Sequence, residues 1–229
     1  MGYGFADFLV PLPKTRHYRQ QKRAESSAET RRKVIAAARE LLLHDDFQDV
    51  SVEAIAARAR VGRSTVYQQF QNKQGLLQAI ELSVSESAGV ENLLQVLQQT
   101  DALASLRAAF EVGGGVWARE RDLFRKLFGL AHVDADLRAV MEDKDTKRQQ
   151  LVRVLVEKLG AQKRLRPGVT RERAFQVLWL LTSFQTFDAT CQVTASVEAT
   201  AQLLFDVCAR SLLQASEKRL HRVAKPRKT

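Results

Sequence analysis

The sequence predicts an all-α protein in two parts, a small three-helix domain followed by a larger helical one. Three observations predict this. From Glu91 onward apolar residues recur at helical spacing, and no stretch alternates at period two. Between Ser51 and Lys73 two short helical patterns are separated by a tight turn. The net charge of +10 is placed unevenly: residues 11–34, 51–73 and 217–229 carry excess positive charge, whereas 74–216 holds seventeen residues of each sign. A basic first domain joined to a neutral, apolar second one fits a reader of a polyanion attached to something that does not read it.

The stretch from Ser51 to Lys73, SVEAIAARARVGRSTVYQQFQNK, carries the sharpest signal. Ser51 is a good N-cap, because its hydroxyl accepts from a free backbone N–H in the first turn. Val52, Ile55, Ala56 and Ala59 then fall on one face, and the surrounding alanines are small enough for a second helix to pack close. Gly62 falls where the next helix should start. In Arg63–Phe70, Val66 and Phe70 point inward, with Val61 just before them, while Arg63, Ser64, Thr65, Tyr67, Gln68 and Gln69 face out. No acidic residue stands between Arg60 and Gln71. Arg and Gln make bidentate contacts to guanine and adenine edges in a major groove, and hydroxyls at a helix start suit a phosphate. The pattern therefore reads as a helix-turn-helix. Arg63, Ser64 and Gln68 are the expected base readers, Ser51, Thr65, Tyr67 and Lys73 the expected phosphate contacts, and Gln69 either.

The segment VGRSTVYQQFQNK (61–73), followed by Leu76 and Leu77, resembles the DNA-binding signature of the TetR family of bacterial one-component transcriptional regulators. The matching positions are Ala59, Val61, Thr65, Val66, Tyr67, Phe70, Asn72, Lys73, Leu76 and Leu77. The departures are Arg60 where Gly is usual, Gly62 for a Ser or Thr cap, Gln69 for a common His, and Gln74-Gly75 for acidic residues. Arg60 calls for a non-Gly residue at positive φ, or for a different turn. The resemblance covers about residues 30–77. It implies a dimer that binds an inverted repeat, with recognition helices about 34–36 Å apart or a multiple of that. It also implies a fourth helix joining the domains, dimerisation through the last two helices, and a small molecule that enters the second domain and weakens operator binding. Repression is the family's commonest mode.

Taken in order, residues 1–25 show no clear period and read as a basic, disordered arm, with contact to DNA phosphates as the sharper alternative. Ser26-Ser-Ala-Glu29 reads as a capping box that starts the first helix. Ile35, Ala36, Ala38, Leu42 and Leu43 are its inward stripe, Asp45-Asp46 its end, and Phe47 packs under the next helix. Arg31, Arg32 and Lys33 then lie in a first turn that normally prefers acids, which suggests a nearby phosphate. The DNA domain spans 26–72. Asn72 caps a helix from Lys73 to about Ser87, with Leu76, Leu77, Ile80 and Val84 inside. Further helices are expected near 91–112 (with a break at Thr100-Asp101) and 116–131, separated by Gly113-Gly114-Gly115. Asp134 caps a long one at 135–160, whose polar middle, Glu142–Gln150, faces water. A turn at Arg166-Pro167-Gly168 precedes helices at 170–190 and 196–214. These two are apolar on more than one side, which calls for cover from a second copy in a four-helix bundle. The second domain spans 73–216, for effector binding and dimerisation. Residues 217–229 read as a basic, disordered tail.

Other functions find less support. No Gly-rich phosphate loop, metal spacing or nucleophile motif marks an enzyme, and no catalytic residue, metal site or cofactor is expected. Cys191 and Cys208 sit in apolar helical patterns as reduced packing residues. No signal peptide or transmembrane run is visible, so the chain reads as cytoplasmic with no membrane partner. Candidates to line an apolar pocket for the effector are Phe110, Trp117, Phe124, Phe128, His132, Met141 and Trp179, each also explicable as core. The rival to a specific repressor is a sequence-tolerant, nucleoid-type DNA binder. The basic ends favour that rival, and the neutral, apolar second half disfavours it.

Overall fold

The computed structural model describes residues 14–44 and 51–214. Residues 1–13, the Asp45-Asp46-Phe47 segment and the basic tail from 217 lie outside the described residues. Within them the chain is all-α: α1 (Lys14–His44), α2 (Val52–Ala59), α3 (Arg63–Phe70), α4 (Lys73–Ala88), α5 (Asn92–Gln98), α6 (Ala102–Arg119), α7 (Arg121–Leu130), α8 (Ala135–Ala161), α9 (Arg171–Leu181), α10 (Phe184–Thr190) and α11 (Val197–Leu212). An isolated bridge pairs Leu165 with Leu213. The chain divides into two compact units between Leu76 and Leu77.

In the first unit α1, α2 and α3 pack against one another. Helix α1 begins at Lys14, twelve residues before the expected cap at Ser26, so residues 14–25 are helical and not a disordered arm. The stretch from 14 to 44 has no Gly or Pro and is rich in Lys, Arg, Gln, Ala and Glu, so nothing in it stops a helix. Ser26 sits inside the helix, where its carbonyl accepts from Thr30 Oγ1 at 2.9 Å. The inward stripe is Val34, Ala37, Ala38, Leu41 and Leu42; Leu43 is exposed, and Ala36 lies outside as well. The expected stripe was thus rotated by about one residue. Val34 is fully buried, and Val34, Ala38 and Leu41 are related by the same i, i+4, i+7 spacing.

Ser51 caps α2 as expected, its hydroxyl accepting from Ala54 N at 3.1 Å. Val52, Ile55 and Ala56 are its buried residues. Arg60 takes up the left-handed conformation, φ 56°, and its amide donates to carbonyls of the last turn of α2. This is the C-terminal cap that Gly usually supplies. Gly62 starts α3 with no side-chain cap, and Val66 and Phe70 are buried. Asn72 Oδ1 accepts from Gly75 N at 2.8 Å at the start of α4, whose buried residues include Leu76, Ile80 and Val84.

In the second unit α6 is the hub, packing on α5, α7, α8, α10 and α11. The expected break near Thr100-Asp101 is present, with Asp101 Oδ2 capping α6 through Ala104 N at 2.8 Å. Gly113-Gly114-Gly115 breaks nothing: all three lie inside α6, and the chain turns at Glu120 instead. Each Gly costs a helix about 1 kcal/mol, but Gly114 has a packing role. A Cβ there would lie 3.3 Å from Ala201 Cβ of α11 and 3.4 Å from Phe187 Cε2 of α10. Asp134 caps α8 through Leu137 N at 3.0 Å. The apolar helix expected at 170–190 is two, α9 and α10, broken at Thr182-Ser183. The carbonyls freed there are satisfied from outside: Trp117 Nε1 donates to Thr182 O at 3.2 Å and Arg148 Nη1 to Trp179 O at 2.9 Å. Ser183 then caps α10 through Thr186 N. Cys208 is fully buried, which pushes its thiol up to about 12, and Cys191 is half-buried; both are free thiols.

The glycine run yields a paired expectation. Gly115→Ala meets nothing within 4 Å and should stabilise the protein by about 1 kcal/mol through helix propensity. Gly114→Leu forces α6 away from α10 and α11 and should cost about 1–3 kcal/mol. Thermal and denaturant unfolding of the two variants should therefore shift in opposite directions.

Candidate nucleic-acid interface and effector cavity

Helix α3 exposes Arg63, Ser64 and Gln68 to solvent, and Thr65, Tyr67 and Gln69 in part. Arg63 Nη1 lies 2.8 Å from Glu53 Oε1 of α2, and its guanidinium stands 5.5 Å from the Tyr67 ring centre. The Tyr67 hydroxyl, at 3.4 Å from Nη2, and then the Glu53 charge hold the guanidinium above its ordinary range. The pair is exposed and contributes little to stability. Its effect is to orient Arg63 on the outer face. Glu53 was not singled out in the sequence, because the acid-free stretch begins only at Arg60.

Gln69 is only partly exposed and its side chain turns toward α1. Its Nε2 donates to Ser27 Oγ at 2.9 Å, which ties α3 to α1. Arg31 makes a second tie, donating to Gln69 O at 3.1 Å with its guanidinium 4.5 Å from the Phe70 ring centre. Arg31, Arg32 and Lys33 are not in a first turn, since α1 starts at Lys14. Lys33 pairs with Glu29 at 2.7 Å, so the inference of a phosphate from helix polarity does not hold. The Ser51 hydroxyl is engaged by its cap, and Lys73 is the first residue of α4.

The second unit holds a partly open cavity of about 220 Å³. Of the seven residues expected at a pocket, Phe110 and Trp117 line it. Phe124 and Phe128 lie behind Trp117 in an aromatic cluster closed by Phe184, with Trp117 and Phe124 centroids 4.9 Å apart and Phe128 stacked on Phe184 at 5.2 Å. Met141 is buried away from the lining. His132 is exposed, its Nδ1 2.9 Å from Phe128 O. Trp179 is covered by the Arg148 guanidinium at 3.4 Å. These residues served as core or surface because size and polarity alone do not say which side of a helix meets a void.

Much of the polar lining comes from the middle of α8, which was expected to face water. Lys144 and Arg148 are turned inward, their side chains only 13% and 14% exposed. A signal for this existed: at i, i+3 and i+7 they continue the face of Met141 and reach Val152 and Leu155. Lys144 Nζ lies 2.8 Å from Glu81 Oε1 and 2.6 Å from Ser85 Oγ, both on α4. Arg148 is engaged by Asp145, Trp179 O and Thr182, and burial, partly offset by Asp145, lowers its pKa from the ordinary value. Among the described residues no group of three or more His, Cys, Asp and Glu is placed to hold a metal ion, and no helix is long and apolar enough to cross a membrane.

Residues 34–80 match the bacterial regulatory proteins of the tetR family. Over this stretch, which takes in α2 and α3, the chain is similar to that family. An uncharacterised HTH-type transcriptional regulator of Bacillus subtilis (strain 168), YvkB, is 31% identical over 72 residues, which are 31% of this chain and 35% of YvkB. The match thus spans about a third of that curated relative's length. The crystal structure of NalD from Pseudomonas aeruginosa, the secondary repressor of the MexAB-OprM multidrug efflux pump, is similar at 25% identity. Its TM-score is 0.67, with 84% of this chain and all of NalD covered. FadR from Bacillus subtilis in complex with stearoyl-CoA shares the fold at 16% identity and a TM-score of 0.62, covering 77% of this chain and 96% of FadR.

Within the matched stretch the turn before α3 carries backbone strain. Holding an Arg side chain at φ 56° costs about 1 kcal/mol that Gly would not incur. Arg60→Gly should therefore raise the stability of the first unit by about 0.5–1 kcal/mol in denaturant unfolding. An unchanged or lowered midpoint would mean that the Arg side chain makes a compensating interaction.

Proposed function

We propose that the protein is a transcriptional repressor that binds an inverted-repeat operator as a homodimer and is released by a small molecule held in the cavity of its second unit. The observation that carries this is α3 itself. It is a short helix with Arg63, Ser64 and Gln68 exposed on one side and Val66 and Phe70 buried on the other, set by a tight turn against α2. In this reading Arg63, Ser64 and Gln68 read base edges, and Ser51, Thr65, Tyr67 and Lys73 hold phosphates. Gln69 contributes by seating α3 on α1. Residues 26–72 are then the DNA-binding domain and 73–216 the effector and dimer domain.

The direct measurement is fluorescence anisotropy with duplex from upstream of the protein's own gene against shuffled duplex, at about physiological salt, where weak non-specific binding fades. Strong preference for one inverted repeat is expected, and Gln68→Ala or Arg63→Ala should cost about 1–3 kcal/mol on it. Equal, salt-sensitive binding to both duplexes would replace the operator reading with that of a sequence-tolerant binder.

The dimer reading is supported by α9 and α11. They pack on each other, yet Leu180 of α9 and Leu203 and Val207 of α11 are exposed by 61%, 44% and 42%. Leu203→Asp with Val207→Asp should yield a monomer by sedimentation. It should also lose about 100-fold or more in operator affinity, because two linked recognition helices act through effective concentration. A variant that stays dimeric would move the interface elsewhere.

A further inference from the structure

We propose that the effector is an apolar organic cation, whose charged head takes the place that the Lys144 ammonium holds between Glu81 and the ring of Trp117. This rests on reading the cavity as the effector site and adds the chemical class of the ligand. The Lys144 ammonium is surrounded by a carboxylate, a hydroxyl and two aromatic faces: Glu81 Oε1 at 2.8 Å, Ser85 Oγ at 2.6 Å, the Trp117 ring centre at 5.7 Å and the Phe124 ring centre at 5.1 Å. Those are the parts from which cation sites are made. Both charged side chains are nearly covered, at 13% and 12% exposure, so the pair is held at a cost in desolvation that only close pairing offsets. The present occupant is the tip of a four-carbon stem on α8, a helix whose neighbouring positions Asp143 and Lys147 are exposed. Such a stem can swing its charge out to water.

The alternative of an anionic effector fits the lining less well. Arg148 is already committed to Asp145, Trp179 O and Thr182. An anion would therefore have to take Lys144 from Glu81 and leave two negative charges side by side in a low dielectric. A cation that displaces Lys144 leaves the charge of the site unchanged. It fills the cavity next to Phe110 and Leu155 with its apolar part. Displacement also severs both contacts that Lys144 makes to α4, at Glu81 and Ser85. α4 starts directly after α3, so its release is a route from an occupied cavity to the DNA-binding unit.

The test is tryptophan-fluorescence titration of the full-length protein with three probes of matched body: phenylbutyl-trimethylammonium, phenylbutanol and phenylbutanoate. The cation should bind about tenfold tighter than the alcohol, and the carboxylate weakest. Glu81→Gln should weaken the cation about tenfold and the alcohol less than about twofold, and Lys144→Met should tighten the cation several-fold by removing the internal competitor. Should Glu81→Gln fail to fold by circular dichroism, Glu81→Gln with Lys144→Met leaves no unpaired charge and should bind cation and alcohol alike. Tightest binding of the carboxylate, or a cation affinity indifferent to Glu81, overturns the charge class and leaves the cavity as an effector site. No binding of any probe to the wild type or to Lys144→Met overturns the effector-site reading with it.

Discussion

A helix of eight residues does not hold itself together in water, because the cost of starting it is not repaid within so few turns. Everything exposed on α3 therefore depends on what is buried beneath it. Val66 and Phe70 are nearly inaccessible, and Phe70 is covered by the Arg31 guanidinium of α1. Arg31 and Ser27 also hold Gln69, so α1 fixes the C-terminal half of α3 by one apolar and two polar devices. The left-handed turn at Arg60 sets the other half, joining α2 to α3 through three residues. Between these anchors the outward side chains are placed without taking part in the packing, which leaves them available for a partner.

The second unit meets a different constraint, that of letting helices approach closely without filling the space between them completely. Gly114 brings α6 against α10 and α11, and the aromatic cluster of Trp117, Phe124, Phe128 and Phe184 closes the other side. The void left among α4, α6 and α8 is mostly apolar, with a charged wall formed by Glu81, Lys144 and Arg148. Charges so covered are kept by mutual pairing and by backbone carbonyls released where α9 ends. The helix break at Thr182 and the inward turn of Arg148 are thus one arrangement. The broken helix exposes carbonyls, and the guanidinium satisfies them.

Much of this was legible in the sequence where the signal is local. Ser51, Asn72 and Asp134 cap helices through their own side chains as read, and the spacing of Val52, Ile55, Val66 and Phe70 gave the buried faces of α2 and α3. Errors arose where two local signals competed. Ser26-Glu29 has the form of a capping box, but uninterrupted helix formers on both sides carried α1 through it. Gly113-Gly114-Gly115 has the form of a breaker, but close packing at Gly114 overrode it. In α8 the composition of 142–150 suggested a solvated segment, whereas the helical period already put Lys144 and Arg148 on the buried face.

By itself the sequence determined that the chain is helical, where most helices start, that its first unit carries a helix-turn-helix, and which side of α3 is polar. These follow from capping chemistry and from a 3.6-residue period, both of which act within a few residues of the chain. Only the tertiary structure decided that Gln69 turns toward α1, that Phe124 and Met141 are core while Phe110 and Trp117 meet a void, and that an ammonium sits between Glu81 and Trp117. The reason is that each of these depends on residues dozens of positions apart, such as Ser27 with Gln69 or Glu81 with Lys144. Desolvation then decides which charges must pair, and no local pattern encodes the neighbour that will be there.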